Sequence, residues 1–110
     1  HGKPPENHAW IEYVSLKILA QAMNDAKSTD TDKLVAYLES EAQFDVLKAR
    51  KAYFRSWDHQ MMQEAYPFTV KPKGKAKDKY DFLQFGAAVP GPDQPLDLLA
   101  TTKADNTCKM

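Results

Sequence analysis

The sequence predicts an α/β unit that is one part of a larger layered fold. Two observations carry this. Two segments with helical periodicity precede two or three strand-like segments, and the first helix is apolar nearly all the way round. A third follows from them: so few strands cannot cover so wide an apolar surface.

Residues 7–27 read as the first helix. Trp10, Ile11, Tyr13, Val14, Leu16, Ile18, Leu19, Met23 and several alanines are apolar, and the polar residues Glu12, Lys17, Gln21, Asn24 and Asp25 form a narrow stripe. An apolar arc this wide asks for neighbours on two sides, so Ile11, Val14, Ile18 and Leu19 are expected inside. Pro4 and Pro5 block backward extension, and Asn7 is the expected N-cap. A run of Ser, Thr and Asp at 28–32 breaks the helix. A second, amphipathic helix is expected over 31–41, with Leu34, Tyr37 and Leu38 at helical spacing.

Strands are expected within 44–57, within 65–70, where Pro67 demotes the segment towards an edge, and within 80–85. Between the last two lies Lys71–Lys79, five lysines alternating with Pro72, Gly74 and small residues, which reads as a solvated loop or a docking patch for an acidic partner. Leu96-Asp97-Leu98-Leu99 is short enough for one helical turn, and the tail over 100–110 is polar.

Fifteen basic residues balance fifteen acidic ones. Such a chain has no overall field to draw in nucleic acid or anionic lipid, and no apolar run approaches the ~20 residues that span a bilayer. Cys108 is the single cysteine, so its disulfide partner, if any, lies outside these residues. Asp58 and His59 are adjacent. On a strand they would face opposite sides and could not form a carboxylate-oriented base, and no nucleophile stands ready to join them. His1, His8 and His59 are too scattered to define a copper site. The sequence therefore predicts no catalytic residue, no metal and no cofactor.

Three landmarks carry a resemblance. Gly2-Lys3-Pro4-Pro5 is followed by Trp10 and Tyr13 at the head of a long Ala-rich helix. Tyr53-Phe54-Arg55-Ser56-Trp57-Asp58-His59-Gln60 follows a pattern of aromatic, Arg, any, Trp, Asp, any, Gln. The Leu96–Leu99 turn precedes Cys108. In this order they resemble the last third of the type I periplasmic solute-binding proteins of ABC transporters, in the branched-chain amino-acid group. The tail resembles the subgroup linked to PQQ-dependent alcohol or methanol oxidation.

The resemblance implies a partial lobe of a two-lobed α/β protein, in the periplasm, with no reaction catalysed. It implies a small solute, the remainder of the binding protein and the importer's membrane subunits as partners. An isolated partial lobe is also expected to self-associate. Ligand-facing residues would be Trp10 at the helix start and Asp58 and Gln60 near the hinge, the last two on one face if 56–60 is a strand. Each has a second reading: Trp10 and Tyr13 as ordinary core, and Arg55 with Asp58 as an ion pair that fixes a turn over Trp57. The rival to the whole reading is a small accessory subunit of a periplasmic alcohol-oxidation system, docking through the first helix.

Overall fold

The computed structural model describes residues 2–107. Helix α1 spans Asn7–Asp25. Its N-cap is Glu6 rather than Asn7. Glu6 is extended and its side chain makes no capping bond to the helix; it pairs instead with Lys3, at 2.8 Å. The helix ends in a left-handed stop. Lys27 has φ 49°, and the Ser28 amide donates back to the Met23 carbonyl at 3.3 Å, closing the C-terminal carbonyls as a Schellman motif does. Helix α2, Thr31–Leu38, begins on Asp30, whose carboxylate accepts from the Lys33 amide at 3.1 Å.

Beyond the helices, the described residues form four short strands in two separate antiparallel pairs. β1, Tyr53–Phe54, pairs with β2, Met61–Met62; β3, Phe68–Val70, pairs with β4, Leu83–Phe85. Single bridges join Phe44 to Ala52 and Ala65 to Val89. Two helices followed by short antiparallel strands make this an α/β arrangement.

The core is small. Val14 and Ile18 of α1 pack on Phe44, Val46 and Ala52, with Trp10, Tyr37, Leu38, Phe54 and Met61 half-buried around them. Phe44 is the centre. Its ring meets Tyr37 and Phe54 edge-on at 6.2 and 5.7 Å between centroids, and its backbone exchanges two hydrogen bonds with Ala52, at 2.8 and 2.9 Å.

Only one flank of α1 is used. It buries Val14, Ile18 and Ala22, whereas Ile11 and Leu19, expected inside, are 42% and 43% exposed, and Tyr13 and Leu16 also face solvent. The residues at 14, 18 and 22 share a ridge, and Val14 and Ile18 meet the 44–52 segment. The adjoining ridge, with Ile11 and Leu19, stays partly open among the described residues. The shape agrees: the radius of gyration is 17.2 Å and the extents 52 × 37 × 25 Å, against about 13 Å for a compact domain of this length.

Candidate functional site

The boundary between the buried and exposed flanks of α1 forms one wall of an open apolar groove of about 430 Å³. Trp10, Ile11, Val14, Ile18 and Leu19 line it from α1, with Leu38, Phe54 and Met61 opposite; Ser15 and Gln63 are its polar members. The Gln63 Oε1 atom is buried and has no hydrogen-bond partner among the described residues. An apolar trough with one buried acceptor has the composition of a non-covalent binding surface.

Trp10 stands at one end of this groove. Its indole Nε1 donates to the Val46 carbonyl at 3.0 Å, which fixes the ring. It is half-buried against the core and also lines the groove. Behind it lies a polar knot. The Lys48 ammonium sits 5.0 Å from the Trp10 ring centre and 5.9 Å from that of Tyr66, and donates to the Glu64 carbonyl at 2.6 Å. Loss of hydration lowers the Lys48 pKa, against the pull of the Glu64 charge.

The Glu64 carboxylate is fully buried and accepts from the Tyr66 hydroxyl at 2.5 Å and the Arg50 amide at 3.2 Å. The Tyr66 hydrogen bond, ahead of burial acting the other way, holds this carboxyl below the usual range, with the Arg50 and Ala49 amides adding to it. Arg50 reaches on to the Gly91 carbonyl at 3.0 Å. No local pattern marks this knot: apart from the Tyr66–Glu64 pair, two residues apart, it is closed by contacts across long stretches of chain, such as Arg50 to Glu64 and to Gly91.

Asp58 and Gln60 belong to a second place. They do not share a strand face: residues 56–58 form the turn between β1 and β2, and His59 is left-handed at φ 55°. Arg55 and Asp58 form a bidentate ion pair, and each side chain is only 5% exposed. The guanidinium lies 4.1 Å from the Trp57 ring centre. It also donates to the Thr101 carbonyl at 3.0 Å and to the Gln60 Oε1 atom at 3.4 Å. Burial works against the Asp58 charge, but the Arg55 and Gln60 hydrogen bonds outweigh it and hold the carboxyl below its ordinary value.

The Arg55 and Asp58 charges satisfy each other, and the corner pins the turn and ties the 100s segment to it through Thr101. Asp58 and Gln60 do not line the Trp10 groove. His59 turns away from Asp58 and pairs through Nδ1 with Glu39, at the end of α2. Among the described residues no group of three or more His, Cys, Asp or Glu could hold a metal ion, and no helix is long and apolar enough to cross a membrane. Cys108 and His1 lie outside the described residues.

The sequence profile of the periplasmic binding protein family matches residues 1–76. The chain belongs to the periplasmic binding protein family. A crystal structure of a periplasmic binding protein from Burkholderia mallei superposes with a TM-score of 0.80 at 30% identity, over 96% of this chain. The chain spans 26% of the length of that protein, and its two helices and short strands correspond to part of a periplasmic-binding-protein lobe. A comparison with curated proteins gives no match. The family is one of solute-binding proteins.

Proposed function

We propose that this chain is the C-terminal part of a type I solute-binding protein that captures a small solute in the periplasm and presents it to an ABC importer. The observation that carries the reading is the family match over residues 1–76, supported by the superposition at 30% identity. The mechanism is closure of two lobes on the solute. In this reading Trp10 supplies an aromatic wall, held in place by Val46. Gln60, exposed beside the Arg55 corner, offers its amide, and Asp58 acts through its grip on Arg55, which fixes the turn that presents Gln60. The finer resemblance of the tail points to a setting of PQQ-dependent alcohol or methanol oxidation, and so to small alcohol-derived solutes.

One lobe does not suffice. A single buried aromatic contributes about 1.5–3 kcal/mol, while a micromolar complex needs about −8 kcal/mol. Calorimetric titration against amino acids, small alcohols and organic acids tests this. The 110 residues alone should show no specific binding. The longer protein should bind one class, and Trp10→Ala in it should weaken binding while the fold persists. Tight binding by the 110 residues alone, or no solute for the longer protein, would overturn the reading.

A further inference from the structure

The hairpin formed by β3 and β4 is amphipathic, and its apolar face looks outward. Cross-strand partners share a face, and so do alternate residues along a strand. The register Phe68↔Phe85, Thr69↔Gln84, Val70↔Leu83 therefore puts Phe68, Val70, Leu83 and Phe85 together, with Thr69 and Gln84 on the reverse. Phe68 and Phe85 meet edge-on at 6.2 Å. Yet Phe68, Val70 and Phe85 are 58%, 70% and 63% exposed. An isolated two-stranded hairpin is marginal in water, so a clean apolar stripe on such an arm adds little stability while it stays uncovered.

The tip is charged. Residues 71–81 hold five lysines and two aspartates, a net +3 in a chain whose total is zero. Gly74, at φ 89°, makes the tight turn, closed by the Lys75 amide on the Pro72 carbonyl at 3.0 Å. Asp81 is occupied: it pairs with Lys71 at 2.5 Å and accepts from the Lys77 amide at 3.0 Å. The ammonium groups of Lys73, Lys75 and Lys77 make no ion pair among the described residues.

We propose that this hairpin, residues 67–86, is a docking arm for a protein partner whose surface carries an apolar spot ringed by carboxylates. The free lysines match the carboxylates and the Phe68–Phe85 stripe matches the apolar spot. One further observation selects this occupant. The stem is apolar and the tip is charged; an arm that inserts into a membrane would need the reverse order. The arm shares no residue with the Trp10 groove, so its failure would leave the solute reading intact.

The test uses the 110-residue chain, labelled for NMR. The probe is a synthetic peptide with glutamates flanking a Leu-Phe pair, set against the same peptide with lysines in place of the glutamates and against phosphatidylglycerol vesicles. The acidic peptide should shift amides within 67–86. Its binding should fall roughly tenfold when salt rises from about 50 to about 300 mM. The Lys73→Glu/Lys75→Glu variant should abolish it, and Phe68→Ser/Phe85→Ser should weaken it roughly tenfold. Both sets of changes are solvent-exposed, and unchanged amide positions for α1 certify the fold. Binding that ignores either variant overturns the proposal, as does binding that maps elsewhere. Vesicles binding where the peptide does not would make the arm a membrane contact. A final arm guards against cover from within: Phe85→Cys in a Cys108→Ser background, in the longer protein, should stay open to a thiol reagent, and protection there would also sink the proposal.

Discussion

Replacing Phe44 by Ala should come close to unfolding this chain. Phe44 is wholly buried, and it joins three parts of the structure: α1 through Val14 and Ile18, α2 through Tyr37, and β1 through Phe54. Removing the ring deletes its transfer energy and leaves a cavity, together about 3–5 kcal/mol for Phe→Ala. The two edge-on ring pairs add about 0.5–1.5 kcal/mol each in favourable cases, so the upper half of that range applies. Domains of this size are stable by about 5–15 kcal/mol, and a core centred on five buried residues belongs at the low end. Urea titration followed by far-ultraviolet circular dichroism and tryptophan fluorescence reads the effect. The wild type should show one cooperative transition, and the variant a midpoint shifted far towards zero denaturant. Leu16→Ala is the control: Leu16 is exposed, and it should change stability by less than about 0.5 kcal/mol. A Phe44→Ala variant that loses less than about 1 kcal/mol would refute the assignment of the core.

Two further outcomes follow. The double change Ile11→Gln/Leu19→Gln should reduce self-association in sedimentation equilibrium with little loss of stability, because these side chains are half out of the core and line an open groove; unchanged association would place the sticky surface elsewhere. The Glu64 carboxyl is held below its usual value in the fold, so it adds stability above the unfolded glutamate value of about 4.3. That contribution is lost as pH falls through the lower folded value. Glu64→Gln should flatten the decline in stability between about pH 5 and pH 2, and an undiminished slope in that window would show that other carboxylates carry the acid sensitivity.

The parts of the fold governed by local rules could be read from the residues. The break over 28–32 and the proline stop before α1 are short-range chemistry, although which residue caps each helix was not legible: Glu6 rather than Asn7 precedes α1. Burial along α1 could not be read, because periodicity shows which positions are apolar and not which of them find a partner. Ile11, Tyr13 and Leu19 fit the apolar arc as well as Val14 does, and only the path of 44–52 separates them. β2 has no strand signal in Met61-Met62; its pairing is imposed by the tight turn that Arg55 and Asp58 lock. The same lock moved Asp58 and Gln60 off a common strand face. Gln63, Lys48 and Glu64 carry no local motif, and their significance comes from contacts across the chain.

The uneven shape also governs how the chain moves through water. A body 52 Å long and 25 Å thick, with a radius of gyration of 17.2 Å, suffers more friction than a sphere of its 12.5 kDa mass. It will diffuse and tumble slowly for its size and leave a sizing column early, where a compact protein of greater mass would emerge. A single copy can therefore be mistaken for a pair by elution volume, and mass-sensitive methods such as sedimentation equilibrium or light scattering are the ones that count its chains.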